Sequence, residues 1–171
     1  MPARQPLPRL WLMTDERLGD GLLDAVARLP AGAGIVFRHY SLAEPERRAL
    51  FEGVRGSAPG PVMLAGPAAL ASAWGADGSH GRHDGATTAP AHDLAQIRAA
   101  EAAGAALIFL SPVFPTRSHP GAHALGAERF AALAGQATLP VIALGGMNAA
   151  RAKTLSGAYG WAGIDAWSEK A

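Results

Sequence analysis

The residues best suited to chemistry form a polar loop that follows a buried apolar run. Residues 107–110 read Leu-Ile-Phe-Leu, and after a Ser-Pro-Val-Phe-Pro segment come Thr116, Arg117, Ser118 and His119. Hydroxyl groups and a guanidinium are donors suited to an anion such as a phosphate. The same residue types are common in ordinary turns, so local composition leaves an anion site and a polar connector as equal alternatives.

A second candidate anion site is the Gly145-Gly146 pair, which follows the apolar run 141–144 and precedes a helix that Asn148 can cap. Two glycines let backbone N–H groups approach an anion closely, and a helix N-terminus adds its positive dipole end. Gly163, at the end of the last apolar run, could supply the other half of such a cradle. A simple tight turn is the alternative interpretation of the glycine pair.

Two more charged residues follow apolar runs near the start of the chain. Arg38 ends the second run and could bind an anion bidentately or pair with a neighbouring carboxylate. Asp15 follows the first run, where a helix N-cap is the first interpretation and a ligand the second.

A histidine-rich segment raises the possibility of a metal. His80, His83 and Asp84 lie within five positions, and His92 follows eight residues after Asp84. Imidazole and carboxylate are accepted by divalent transition metals, but the spacing matches no specific metal motif, and a solvated loop is the alternative. Asp84 acting alone on Mg²⁺ together with a substrate phosphate is favoured over a histidine site.

The hydrophobic pattern predicts the elements that position these residues, with strands and helices alternating along the chain. Short apolar runs predict eight strands: 10–14, 35–37, 61–64, 77–80, 88–91, 107–110, 141–144 and 161–164. Helical spacing predicts six helices: 22–29, 44–54, 67–74, 93–103, 127–134 and 148–155.

Eight strands alternating with helices predict a parallel α/β sheet, and the count suits a TIM (β/α)₈ barrel. Because such barrels usually need 200 or more residues, a chain of 171 residues must be shortened, with helices missing or reduced after strands 4 and 8. An open doubly wound sheet is the structural alternative. We expect one domain covering residues 1–171.

Composition narrows the classes of partner. The formal net charge is +1, which argues against nucleic acid and against an anionic membrane surface. No cysteine is present, so disulfides, thiolate metal sites and cysteine nucleophiles are excluded. Residues 1–9 hold no apolar signal core and no run reaches 18 apolar residues. We therefore expect a soluble, cytoplasmic protein, whose oligomeric state the sequence leaves unknown.

Five segments together resemble one family. They are Leu-Trp-Leu-Met-Thr-Asp (10–15), Ala-Asp-Gly-Ser-His (76–80), Ser-Pro-Val-Phe-Pro-Thr-Arg-Ser-His (111–119), Ala-Leu-Gly (124–126) and Ala-Leu-Gly-Gly-Met (143–147). In this order they are similar to the signatures of thiamine phosphate synthase and its tautomerase relative TenI, and they span most of the chain. The resemblance implies a TIM barrel.

The resemblance also implies an activity of thiamine biosynthesis. The family's synthase joins an aminopyrimidine diphosphate to a thiazole phosphate with Mg²⁺ bound, and pyrophosphate leaves first. The partner would then be a small phosphorylated heterocyclic substrate. By resemblance the residues at the diphosphate and the reacting centre are Arg38, Thr116, Ser118 and His119. The thiazole phosphate falls on Gly145 and Gly146, and Mg²⁺ falls near Asp84.

The sequence departs from the family pattern at several of its ionic positions. Val36 and Tyr40 replace a glutamine and a lysine, Ala65-Gly66 replaces Asn-Asp, Pro90 replaces a serine, and His119 replaces a lysine. These changes remove positive charge and a metal carboxylate from the place where pyrophosphate leaves, so impaired activity is expected. A non-catalytic phosphate-ligand-binding or regulatory barrel is the alternative. The tautomerase activity is not expected, because Pro112 stands where that relative needs a histidine.

Overall fold

Eight short parallel strands close into a barrel in chain order, with β8 pairing back to β1. The computed structural model describes residues 6–118 and 120–168. The strands are β1 (Leu10–Met13), β2 (Gly34–Phe37), β3 (Val62–Ala65), β4 (Gly78–His80), β5 (Thr88–Ala91), β6 (Leu107–Leu110), β7 (Val141–Ala143) and β8 (Gly160–Gly163). The predicted TIM-like barrel is confirmed.

Six α-helices surround the strands in the described part of the chain. They are α1 (Leu22–Ala27), α2 (Glu44–Ser57), α3 (Ala68–Ala73), α4 (Leu94–Ala102), α5 (Gly126–Ala134) and α6 (Ala149–Ala152). Within the described residues no helix lies between β4 and β5, and β8 is followed only by a 3₁₀ turn at Asp165–Trp167. The barrel is therefore shortened at the two predicted places. Of the helices in residues 6–118 and 120–168, none is long and apolar enough to cross a membrane.

Most strands are apolar on both faces, because one face lies in the barrel interior and the other packs against the helices. Alternate residues such as Trp11, Met13 and Phe109 point into the barrel and form one cluster, with the Trp11 and Phe109 rings meeting edge to face at 5.4 Å. The intervening residues pack outward against the helices in two further clusters. A strand buried on both faces is a continuous apolar run rather than an alternating one, as in residues 107–110.

Two strands have sequences that favour strand formation poorly, and β5 even contains Pro90. The pairing of β4 with β5 is one residue pair long, His80 with Thr88, and Gly81 N–H donates to the Thr88 carbonyl. Since backbone groups alternate sides along a strand, Pro90 faces the same side as Thr88 but lies beyond the end of β4. Its missing N–H therefore costs no ladder hydrogen bond.

Two indoles cover the barrel where the final helix is reduced. Trp161 of β8 stacks on Trp167 of the 3₁₀ turn, with ring centroids 5.1 Å apart and an interplanar angle of 3°. The Trp167 Nε1–H donates to the carbonyl oxygen of Trp11 at 3.1 Å. The turn is thus held against β1 and β8, which fixes the position of Asp165 at its first residue.

Candidate active site at the barrel mouth

A cavity of about 1200 Å³ opens at the carboxyl ends of the strands, which we call the mouth, and continues towards Trp161 and Trp167. It is lined by loops that follow β1, β2, β5, β6, β7 and β8. Eight of the candidate residues selected from the sequence lie along it: Arg38, His92, Thr116, Arg117, Ser118, Gly145, Gly146 and Gly163. The carboxyl ends of the strands are where barrel folds place their functional groups.

Arg38 is fixed at the mouth by groups of the first βα loop. Its Nε donates to the Thr14 carbonyl at 2.7 Å and its Nη2 to Asp15 Oδ2 at 3.0 Å. Burial lowers the pKa of Arg38 below its ordinary value, and the Asp15 carboxylate opposes that shift. Asp15 also accepts from the Arg17 N–H at 3.1 Å. It is therefore the cap of the first interpretation, and its contact with Arg38 is the carboxylate pairing that was one of the two alternatives for that arginine.

A network of ion pairs joins three loops across the mouth. Arg17 Nη1 donates to Ser118 Oγ at 2.8 Å, and Arg17 Nη2 lies 3.2 Å from Asp165 Oδ2. Arg117 Nη2 approaches the same Asp165 oxygen at 3.1 Å. Sequence reasoning did not select Arg17 or Asp165, because 148 positions separate them and only closure of β8 on β1 brings them together.

The hydroxyl groups predicted to bind an anion lie in the loop after β6. Thr116 Oγ1 accepts from the Ser118 N–H at 3.3 Å, which shapes the turn. Both residues are partly exposed to the cavity. His119 lies outside the described residues, so its role stays a prediction.

The Gly145-Gly146 pair has backbone angles that favour glycine, with φ of 99° and 61°. A Cβ on Gly145 would lie 2.7 Å from the Pro112 Cα, and a Cβ on Gly146 would lie 2.7 Å from the Pro115 carbonyl oxygen. Within the described residues, no backbone N–H of 145–148 donates to a backbone acceptor. Close packing therefore requires glycine at both positions. The turn that they form also leaves backbone amide donors available at the cavity.

The electrostatic balance of the mouth is positive. Four of the described arginines line the cavity, Arg17, Arg38, Arg117 and Arg151, while the carboxylates paired with them are Asp15 and Asp165. Arg151 also donates to the Gly146 carbonyl and lies over the Phe114 ring, 5.0 Å from its centroid. Four cations against two anions favour a ligand that carries several negative charges.

The histidine-rich segment does not converge on one point. His80 points into the barrel and shares a hydrogen bond with Thr88 Oγ1 at 2.9 Å, while His83 Nε2 lies 2.9 Å from the Gly66 carbonyl oxygen. Asp84 is exposed beside a separate cavity of about 230 Å³. His92 instead lines the mouth, with Nδ1 2.7 Å from the Ser111 carbonyl oxygen.

His80 is a buried titratable group beneath the mouth. It is 6% exposed, and its ring meets Phe109 edge to face at 5.4 Å. Burial lowers the pKa of His80 to about 3, and the Arg38 cation acts in the same direction. The imidazole is therefore neutral at ordinary pH and places no further charge under the mouth.

Together, the fold and the mouth define a parallel (β/α)₈-barrel protein with a cationic, glycine-lined cavity at the carboxyl ends of its strands. The profile of the family described as thiamine monophosphate synthase matches residues 82–167, just over half of the chain. The thiamine-phosphate synthase of Myxococcus xanthus is 32% identical over 173 residues, which covers 86% of this chain and 78% of that protein. The chain belongs to the thiamine monophosphate synthase family.

Two further comparisons concern another curated relative and a solved structure. The putative thiamine-phosphate synthase 2 of Aquifex aeolicus is 41% identical over 81 residues, a match that spans 46% of this chain and 44% of that protein. Among solved structures, the thiamine phosphate pyrophosphorylase from Pyrococcus furiosus superposes with a TM-score of 0.75 at 22% identity, covering 93% of this chain and 86% of that one. The second comparison supports the fold alone.

The donor set at the mouth does not fit the magnesium ion that the family implies. Magnesium is bound in proteins chiefly through carboxylates, and both mouth carboxylates, Asp15 and Asp165, are already paired with arginine. Strand β3 ends in Ala65 and Gly66 follows it, and Asp84 lies beside the separate cavity. Across residues 6–118 and 120–168 no three or more histidines, aspartates and glutamates are grouped to hold a metal.

Proposed function

We propose that this chain is a transferase of the thiamine phosphate synthase type, which joins an aminopyrimidine diphosphate to a thiazole phosphate and releases pyrophosphate. The observation that carries the proposal is the excess of arginine over carboxylate at the mouth of a barrel of this family. Both substrates carry phosphate, and guanidinium groups bind phosphate oxygens bidentately.

Arg38 would stabilise the charge that develops on the leaving pyrophosphate. In a dissociative reaction the bond to the pyrimidine methylene breaks first, and its electron pair leaves with the pyrophosphate. The contacts of Arg38 with Thr14 and Asp15 hold its guanidinium in place before the reaction. A donor positioned in advance stabilises the transition state without a cost of reorganisation.

The hydroxyls of Thr116 and Ser118 would donate to the diphosphate from the loop after β6. The unpaired amides around Gly145 and Gly146 would hold the thiazole phosphate. Gly163 borders the same cavity, and a Cβ added to it would lie 3.0 Å from the Ala166 Cβ. The two phosphates would then lie on neighbouring loops, with the thiazole beside the pyrimidine cation that it captures.

The test is an assay for thiamine phosphate with both substrates, run with Mg²⁺ and again with a chelator. Wild-type protein should form product, and Arg38→Gln should reduce kcat/KM by about 10²-fold, the usual loss when one charge-stabilising donor is removed. Arg48→Gln is the matched control, since Arg48 is an exposed arginine on α2 that pairs with Glu52. It should keep wild-type activity, and both variants should be checked for unchanged melting temperature.

Two further measurements test the role of Asp84 and the alternative that the protein binds phosphate without catalysis. Asp84→Asn should stay within about twofold of wild type, because Asp84 lies apart from the mouth; a larger loss that excess Mg²⁺ restores would support the assignment of Asp84 to the metal. Saturable binding of thiazole phosphate without any product would overturn the transferase and favour a non-catalytic phosphate-binding barrel.

A further inference from the structure

The hydroxyl group of Thr14 lies between Arg38 and His39, where the first two strands end. Thr14 is fully buried, and its N–H donates to the Val36 carbonyl at 2.9 Å. Its Oγ1 accepts from the Arg38 N–H at 2.9 Å, and its carbonyl oxygen accepts from the Arg38 Nε at 2.7 Å. One threonine therefore holds both the backbone and the side chain of the arginine that lines the mouth.

Among the described residues, the other partner of the Thr14 hydroxyl is the His39 ring, whose Nδ1 lies 3.1 Å from Oγ1. A hydroxyl group carries one proton, and in a buried site that proton needs an acceptor. Since Arg38 already donates to Oγ1, the hydroxyl proton is directed to Nδ1. Burial lowers the pKa of His39, which favours the neutral ring whose Nδ1 can accept. The hydroxyl is thus oriented from both sides.

The backbone of His39 has a conformation that L side chains adopt at a cost. Its φ is 43°, in the left-handed region, and it is the one non-glycine residue with positive φ in the described chain. It is 4% exposed, and its ring stacks on Phe37 with centroids 5.0 Å apart and an interplanar angle of 14°. Residues in such conformations are held by their surroundings and cluster at functional sites. Here the conformation places Nδ1 on the Thr14 hydroxyl.

The Arg38 guanidinium is held from one short segment, residues 14–15. Its Nε bonds to the Thr14 carbonyl, and its Nη2 bonds to Asp15 Oδ2 at 3.0 Å. The orientation of the guanidinium therefore depends on where this segment lies relative to β2. The bond from the Arg38 N–H to the Thr14 hydroxyl fixes that relation. Neither Thr14 nor His39 lines the mouth cavity, so both act at a distance from any ligand in it.

We propose that Thr14 and His39 are positioning residues that act through Arg38. His39 accepts the Thr14 hydroxyl proton, which keeps the hydroxyl oxygen turned to the Arg38 N–H and holds the guanidinium in one orientation. This inference rests on the proposed function, in which Arg38 stabilises the leaving pyrophosphate. It deepens that function, because the family resemblance gave neither Thr14 nor His39 a role. A guanidinium oriented in advance needs no rearrangement as the charge develops.

The test combines the kinetics of thiamine phosphate formation with hydrogen exchange at the Arg38 Nε–H, followed by ¹H–¹⁵N NMR and assigned by the signal that Arg38→Gln loses. Thr14→Val keeps the shape of the side chain without the hydroxyl. It should lower kcat about tenfold with KM changed by less than about twofold, and it should speed the exchange. Combined with Arg38→Gln, it should cost less than about twofold further, because the two residues act as a unit.

Conservative variants separate the hydrogen bonds from the bulk of the side chains. Thr14→Ser keeps the hydroxyl, and His39→Asn offers an oxygen near the position of Nδ1 and tolerates positive φ, so both should stay within about threefold of wild-type kcat. His39→Ala removes the acceptor and should speed the exchange, as Thr14→Val does. It tests the same hydrogen bond from the other side if Thr14→Val does not fold.

Thr88→Val is the matched control. Thr88 is as buried as Thr14, and its hydroxyl shares a 2.9 Å hydrogen bond with the Nδ1 of His80, but in the described chain neither of these two residues hydrogen-bonds to Arg38. Thr88→Val should leave exchange at the Arg38 Nε–H unchanged. Equal exchange in Thr14→Val and Thr88→Val would overturn the inference, even if wild type forms thiamine phosphate. Faster exchange in Thr14→Val alone, with no turnover in wild type, would support the positioning and reject the transferase.

Discussion

Replacing Gly145 by alanine should destabilise the protein through the loop on which it packs. Gly145 has φ of 99°, and an added Cβ would lie 2.7 Å from the Pro112 Cα and 3.1 Å from the Val113 nitrogen. That segment cannot move away freely, since Val113 N–H donates to the Leu144 carbonyl and Phe114 N–H to the Gly145 carbonyl. The new methyl group would have to break these hydrogen bonds or remain overpacked.

The expected magnitude follows from two contributions. An alanine at positive φ costs about 1–2 kcal/mol, and overpacking against a constrained backbone adds about 1–3 kcal/mol, so Gly145→Ala should lower the free energy of unfolding by about 2–5 kcal/mol. Gly157→Ala is the matched control. Gly157 has φ of 80°, but its nearest neighbour, the Ala134 Cβ, would lie at 3.5 Å, an ordinary contact. It should therefore show the first contribution alone.

Urea unfolding at equilibrium measures both variants, and the difference between them isolates the packing contribution. Pyrophosphate and thiazole phosphate titrations should accompany it, because displacement of the loop would move the amides of 145–148 and weaken phosphate binding. If Gly145→Ala and Gly157→Ala were equally stable within about 0.5 kcal/mol, the close contact with Pro112 would not constrain the turn, and the packing explanation for this glycine would be refuted.

Two other predictions concern the barrel below and beside the mouth. Since burial lowers the pKa of His80 to about 3, the folded state resists a proton that the unfolded chain accepts near pH 6.5, and stability is lost as the pH falls between these values. Between about pH 6 and pH 4, wild type should lose about 2–3 kcal/mol more than His80→Gln in urea unfolding; equal losses would contradict the burial. Trp167→Ala should cost about 2–3 kcal/mol, less than for a fully buried tryptophan because Trp167 is partly exposed. Trp167→Phe should cost about 1 kcal/mol, since it keeps a ring on Trp161 and loses the hydrogen bond to Trp11, and equal losses in the two variants would show that the stacking contributes nothing.

The barrel could be predicted because its strands are short, doubly buried and evenly spaced. The run 107–110 indicates β6 by composition alone, and the glycines that follow several helices mark their ends. Boundaries were less predictable: α6 ends at Ala152, before the predicted end at residue 155. Helical spacing continues through Leu155, but the chain there turns towards β8, and propensity does not show where such a turn begins.

Which residues line the cavity could be predicted only where the signal is local in the sequence. Gly145, Gly146 and Ser118 lie beside apolar runs whose ends must meet at the mouth, so their placement follows from the topology. Arg17 and Asp165 carry no comparable signal, because each is an ordinary turn residue until the first and last strands pair. The histidine-rich segment shows the converse, since His80 is the last residue of β4 and points into the barrel, whereas His83 and Asp84 lie in the turn that follows the strand.

The arginine–carboxylate contacts also bear on how a barrel with these departures can handle a diphosphate. The changes at Val36, Tyr40 and Ala65-Gly66 remove charged or polar groups from the ends of β2 and β3. Arg17 and Arg117 approach from the loops after β1 and β6, and Asp165, which follows β8, neutralises only part of their charge. The positive potential is thus retained but displaced towards β8.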